Sequence, residues 1–263
     1  MPWFSSKHKT EQAGSTVAEQ MAAAFAASQN GDYGAALAIW GPLAHQGVGR
    51  AQNNIGACFS EGLGVERDQS LAIKWLTLSA EGGDPVGQRN LAAAYFRGEG
   101  VEENATKAAE LYRAAAEQGD AAAQDMLSWM LLEGEIISPS YEESKKWAEA
   151  AAAQGNAASM TRLGLIYHNA LGVLRDASEA AKWWDKAAAR GDADAQAMLG
   201  AAYHLGAGVP RDSVSALMWL LRGQYGGSQL ATPFIDPVRS SMSEPERERA
   251  KKLAEMPLPE PVI

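Results

Sequence analysis

The residues that could do chemistry in this 263-residue chain are few, and most of them are spaced for binding rather than for bond-making. One Ser-x-x-Lys phrase, Ser6-Lys7-His8-Lys9, has the nucleophile-and-lysine spacing of acylating hydrolases. It lies in a polar N-terminal stretch with no rigid element to aim a base or oxyanion donors at Ser6. Gly-x-Ser-x-Gly, His-Glu-x-x-His, a phosphate-binding glycine loop and Cys-x-x-Cys are all absent from the sequence. Cys58 is the single thiol, and its register partners Ala94, Met130, Ile166 and Ala202 are mostly apolar, which points to packing. His168 and His204 stand 36 residues apart. One metal held by both would need further ligands and a span shorter than the ~10 Å between packed helices, so no metal or other cofactor is expected.

The binding chemistry is better represented. Phe96, Trp129, Leu132 and Leu165, flanked by Arg89, Arg162 and His168, form an aromatic, aliphatic and cationic set of the kind that anchors protein partners. Trp129 has a second reading, as a filler of space left by a divergent repeat. Asn54 and Asn90 are two carboxamides at equivalent positions, each able to donate to and accept from a peptide main chain. They too have a second reading, as solvated polar residues.

These residues need a scaffold, and the sequence repeats with a period of 36 residues. Trp or Leu recurs at Trp75, Leu111, Trp147, Trp183 and Trp219, and Gly recurs at Gly83, Gly119, Gly155, Gly191 and Gly227. Gly-x-Gly-Val recurs at 62–65, 98–101 and 206–209, with weaker copies at 134–137 and 170–173. Each unit reads as two helices. Ala51, Ile55 and Phe59 follow helical spacing in the first, and Ala72, Trp75 or Leu76, and Ala80 in the second. Asp68, Asn104, Ser140, Asp176 and Asp212 stand before the second helices; Asp84, Asp120, Asn156, Asp192 and Ser228 stand before the first. Each side chain can accept a hydrogen bond from a free amide at a helix start, worth about 1 kcal/mol. The Trp75, Trp147, Trp183 and Trp219 column is assigned to the core. Three columns fall on one face of the first helices: Asn53, Arg89, Asp125, Thr161 and Ala197; Ala57, Ala93, Trp129, Leu165 and Ala201; Ser60, Phe96, Leu132, His168 and His204.

The copy running from Ala195-Gln196-Ala197-Met198-Leu199-Gly200 through Tyr203 and Gly208-Val209 to Trp219 resembles the unit of the Sel-one-like repeat (SLR) family, a tetratricopeptide relative. The resemblance covers about residues 48–227. It implies an all-α, right-handed superhelical solenoid of stacked helix-turn-helix (α/α) units and a non-enzymatic adaptor or scaffold that holds a partner protein or peptide in a concave groove. By analogy with tetratricopeptide grooves, the three columns above would line it. Some SLR relatives carry a β-lactamase label, which keeps a hydrolase as an alternative.

The expected organisation is an N-terminal tail at 1–13, a tetratricopeptide-like helix pair at 14–47, repeats at 48–227, C-terminal capping helices at 228–255 and a tail at 256–263. The two tails read as flexible. Ser243-Glu244-Pro245-Glu246 has the capping-box pattern that starts the last helix. No apolar run approaches the ~20 residues of a membrane span. Trp3 and Phe4 beside Lys7 and Lys9 keep a peripheral membrane tether as a second alternative. A net charge of −9 argues against nucleic acid as a partner. The single cysteine and the absence of a secretory leader point to a cytoplasmic protein. It is expected to act as a monomer.

Overall fold

The computed structural model describes residues 15–258, and the Ser6–Lys9 phrase and the Trp3–Phe4 tether lie outside the described residues. So does most of each tail expected to be flexible. Two compact units divide the chain, one ending at Glu102 and the other beginning at Glu103. Unit 1 contains α1 (Val17–Gln29), α2 (Tyr33–His45), α3 (Gly49–Glu61), α4 (Gln69–Glu81) and α5 (Pro85–Arg97). Unit 2 contains α6 (Ala105–Glu117), α7 (Ala121–Glu133), α8 (Tyr141–Ala153), α9 (Ala157–His168), α10 (Ala177–Ala188), α11 (Ala193–Leu205) and α12 (Ser213–Tyr225). A 3-10 turn (Gln229–Ala231), α13 (Thr232–Ser240) and α14 (Glu244–Glu255) close it. No strand occurs among the described residues.

Local chemistry sets the helix boundaries. Asp68, Asn104, Ser140, Asp176 and Asp212 each accept a hydrogen bond from a backbone amide in the first turn of α4, α6, α8, α10 and α12. Asp84, Asp120, Asn156 and Asp192 do the same for α5, α7, α9 and α11. Ser228 caps the 3-10 turn, and Ser243 with Glu246 forms the capping box of α14. At the other end, α3, α5, α7 and α11 terminate on left-handed glycines, whereas α9 runs out through Ala170 at φ 57°. A side chain in that region is strained, so this loop is held by its surroundings. Leu171 and Val173 pack against the unit 2 core on either side of Gly172.

The second glycine of each Gly-x-Gly-Val phrase has a packing reason. A Cβ on Gly208 would lie 2.0 Å from the Ala177 carbonyl oxygen, and one on Gly64 would lie 2.6 Å from Tyr33 Cβ. The loop of one repeat therefore rests directly on the first turn of the preceding second helix.

The core runs one residue later than the tryptophan column suggests. Trp40, Leu76, Tyr112, Ala148, Trp184 and Leu220 are the buried series, while Trp75, Trp183 and Trp219 are half-buried and lie against the core edge. The reason is a glycine on the facing helix. A Cβ on Gly56 would meet Leu76 at 2.9 Å, one on Gly200 would meet Leu220 at 2.8 Å, and one on Gly164 would meet Trp184 at 2.2 Å. Large residues at the 76-type position fill those notches. In α7 and α8 the notch is gone: Ser128 and Ser144 exchange hydrogen bonds at 2.9 and 2.8 Å, and Ala148 follows. There Trp147 is drawn in to 7% exposure.

The C-terminal end of unit 2 is covered. Ile235 and Val238 of α13, Met242 of the connecting turn, and Ala250 and Ala254 of α14 bury Leu217, Leu220 and Leu221 of α12. Arrays of this type need such an end, because the last repeat otherwise presents an apolar face to water.

Candidate functional site

In unit 1 the ligand-facing candidates lie on α3 and α5, and the structure joins the two expected asparagines through a third. Asn90 Nδ2 donates to Asn53 Oδ1 at 2.8 Å, and Asn53 Nδ2 donates to Asn54 Oδ1 at 3.2 Å. Asn53, placed on an open stripe by its helical phase, is only 4% exposed. Thr161 and Ala197 in the same column are also buried, Ala197 against Ala216, Leu217 and Leu220 of α12. Asn54 and Asn90 are half-buried at the two ends of the amide chain. Asn54 keeps its nitrogen and Asn90 its carboxamide oxygen for other partners.

Beside Asn90 a cavity of about 180 Å³ opens between α3, α4 and α5. Ala57, Ile73, Leu76, Ala93 and Ala94 supply apolar lining, and Ser60, Gln69 and the exposed Glu61, Arg97 and Glu99 supply the polar part. Arg97 Nε and Nη2 hold the two Glu99 carboxylate oxygens at 2.7 and 3.0 Å. That bidentate contact keeps the Glu99 carboxyl below the usual range. Arg89 and Phe96 are half-buried on α5.

Unit 2 carries the remaining candidates. Arg162 Nη1 donates to Asp125 Oδ1 at 2.6 Å, and Ser159 Oγ donates to the same oxygen at 2.6 Å. Arg162 is thus engaged by its own unit, with 12% of its side chain exposed. Trp129, Leu132, Leu165 and His168 are half-buried, and Leu132 and Leu165 rest on the core formed by Leu163, Ile166 and Leu199. The His168 ring lies 5.4 Å from that of Trp184 at 49°. His204 stacks edge-on to Phe234 at 6.5 Å, a contact that involves a C-terminal helix and no metal geometry.

Two features went unread in the sequence. Gln52, Gln124 and Gln196, all buried, donate from Nε2 to the carbonyl eight residues earlier at 3.0, 3.1 and 3.1 Å; Gln88 does so at 3.4 Å. Each glutamine adds a second hydrogen bond to a last-turn carbonyl of the preceding helix that already accepts the amide of the glycine after it. The signal was present as a fourth 36-residue column, broken only by Met160. Arg222 is the other: its Nη2 donates to the carbonyls of Leu253 and Met256 at 2.8 and 2.6 Å, tying the end of α14 to α12.

Cys58 is 2% exposed, and burial pushes its thiol up, away from the thiolate a nucleophile requires. Among the described residues no group of three or more His, Cys, Asp or Glu side chains is placed to hold a metal ion. No helix among them is long and apolar enough to cross a membrane.

Five consecutive segments, 49–84, 85–120, 121–156, 157–192 and 193–223, match the Sel1 repeat model. The chain belongs to the Sel1 repeat family. A Sel1 repeat protein from Oxalobacter formigenes has the same fold, with a TM-score of 0.78 and 27% identity over 89% of this chain and 98% of that one. A protective antigen of uropathogenic Escherichia coli with an SLR fold is 25% identical over 89% of this chain and 67% of its own, at a TM-score of 0.40. A sel1 repeat protein from Klebsiella pneumoniae is 19% identical over 76% of this chain and 97% of its own, at 0.47. No curated protein matches the chain. Consecutive helix pairs within each unit pack as Sel1 repeats do, and repeats of this family generally mediate protein–protein interaction.

Proposed function

We propose that this Sel1 repeat chain is a non-catalytic adaptor that binds an extended segment of a partner protein on the first helices of its repeats. The observation that carries the reading is the amide chain Asn90–Asn53–Asn54 in unit 1. A buried asparagine holds two half-exposed ones in fixed orientation, and each outer carboxamide keeps a bonding atom of the kind a peptide main chain matches. Arg89 and Phe96 in unit 1 and Trp129, Leu132, Arg162, Leu165 and His168 in unit 2 are the further contact candidates. Arg162 acts there by shaping the surface, since Asp125 already holds it.

Selection of random peptides displayed on phage against the whole immobilised chain tests this. Enriched peptides are expected to lose about tenfold or more in affinity against Asn54→Ala with Asn90→Ala, with circular dichroism showing the fold intact and a stability loss of about 1–3 kcal/mol from the two bonds taken from buried Asn53. Peptides that bind the double variant unchanged would exclude the asparagines. Turnover of a chromogenic lactam by the wild-type chain would overturn the non-catalytic part.

A further inference from the structure

We propose that the cavity between α3, α4 and α5 is a side-chain pocket that accepts one neutral apolar side chain, leucine to phenylalanine in size, from the bound peptide. The inference rests on the peptide-binding reading and adds to it what the peptide must carry.

Size comes first. The cavity holds about 180 Å³. An apolar protein cavity of about 150 Å³ is known to take a benzene molecule, so one branched aliphatic or phenyl side chain fits and an indole is crowded. The walls come next. Ala57 and Ala93 occupy one register in successive repeats, and their small side chains leave the space that Ile73 and Leu76 line from below. In unit 2 the same register holds Trp129 and Leu165, large side chains of the protein's own, before returning to a buried Ala201. The pocket is therefore a consequence of two successive alanines in unit 1.

Charge then selects among occupants. Arg97 and Glu99 hold each other by two hydrogen bonds, and Arg67 adds to the positive charge around Glu99. A cationic side chain at Glu99 would compete with Arg97, and an anionic one at Arg97 would compete with Glu99. A neutral side chain disturbs neither, and Glu61, exposed at the rim, stays hydrated. Asn90 lines the cavity and also ends the amide chain, so main chain and side chain would be recognised within one residue.

The test uses N-acetyl amino-acid amides as probes of the full-length chain, followed by amide chemical shifts of Ala57, Ala93 and Ala94. The leucine and phenylalanine amides should give saturable shifts there, with the glycine amide about tenfold weaker or worse. Ala93→Leu, which fills the space with a helix-compatible residue, should abolish the leucine response while circular dichroism shows the fold intact. Equal response to the glycine amide, a stronger one to the lysine amide, no saturable shift with any probe, or leucine binding that survives Ala93→Leu would each overturn the pocket. The two readings fail separately. Phage-selected peptides that need Asn54 and Asn90 but ignore Ala93→Leu leave the clamp standing without the pocket. A leucine response with peptides indifferent to the asparagines leaves the pocket standing without the clamp.

Discussion

Asn90 in unit 1 and Arg162 in unit 2 make the same reach, each bonding a residue 37 positions earlier in the preceding repeat, yet the two contacts differ in what they leave open. In unit 1 the partner is Asn53, and the pair belongs to a chain of three carboxamides with unspent bonding atoms at both ends. In unit 2 the partner is Asp125, which also takes Ser159, so donors converge on one carboxylate oxygen and the arrangement closes on itself. One repeat geometry thus produces a polar surface ready for a ligand in one place and a stapled joint in the other. Register fixes which residues meet; side-chain identity decides whether the meeting is structural or available.

The comparison breaks most visibly at Asp125. Asp125→Ala leaves the guanidinium of Arg162, whose side chain is 12% exposed, and the buried Ser159 hydroxyl without this acceptor. A loss of about 3 kcal/mol is expected in urea unfolding, the range for stranding one member of a shielded pair. Asp125→Leu with Arg162→Met should recover most of it, because removing both charges also removes their desolvation cost. If Asp125→Ala costs less than ~1 kcal/mol, the pair is no staple and the contrast with unit 1 loses one side.

The corresponding change in unit 1 is Asn53→Ala. It removes two side-chain hydrogen bonds from a buried carboxamide, but the neighbours Asn54 and Asn90 are half-exposed and can turn to water. About 1–2 kcal/mol should be lost, less than at Asp125. A conversion sharpens the point. Asn53→Asp with Asn90→Arg writes the unit 2 pair into unit 1. Stability should stay within about 1 kcal/mol of wild type, because the new ion pair compensates for the lost amide contact. Phage-selected peptides should no longer bind, because the outward carboxamide oxygen of residue 90 is gone. Retained binding would show that the amide chain is incidental.

How much of this the sequence discloses depends on how local the cause is. The helix caps are read correctly at every aspartate, asparagine and serine named, because an N-cap acts on amides within three residues. The core column is read one residue early. Trp75-Leu76, Trp183-Trp184 and Trp219-Leu220 are adjacent large pairs, and a 36-residue period cannot say which member points inward. What decides is a glycine some twenty positions upstream, Gly56, Gly164 or Gly200, on the facing helix. The candidate site is legible in the same partial way. Asn54 and Asn90 stand out as equivalent carboxamides, but the residue that connects them is Asn53. Neighbouring repeats meet with an offset of 37 rather than 36, so helical phase within one repeat puts Asn53 on an open stripe when it is buried. The carboxylate that holds Arg162 is out of view in the sequence for the same reason, lying one repeat earlier.

The smallest expected effect separates the two units by pH. Unit 2 contains a second charged joint, in which Arg113 holds both carboxylate oxygens of Glu143 and Trp147 Nε1 donates to one of them at 3.2 Å. The Arg113 hydrogen bond chiefly, helped by Trp147, holds the Glu143 carboxyl below its ordinary range despite partial burial. A carboxyl depressed in the folded state stabilises the fold above its unfolded value of about 4.3, and that contribution is lost as pH falls through the lower folded value. Glu143→Gln, which still offers Trp147 an acceptor, should therefore cost under about 1 kcal/mol near neutrality, given the exposure of both partners. The wild-type advantage over this variant should shrink steadily as urea midpoints are measured from about pH 5 down to about pH 3. The amide chain of unit 1 contains no group that titrates in that window, so the cost of Asn53→Ala should be flat across it. A Glu143→Gln difference that does not change with pH would mean the carboxylate contributes by shape rather than charge. An Asn53→Ala difference that falls with acid would mean the unit 1 chain is coupled to a carboxylate, and the distinction between an open amide surface and a closed ionic joint would have to be redrawn.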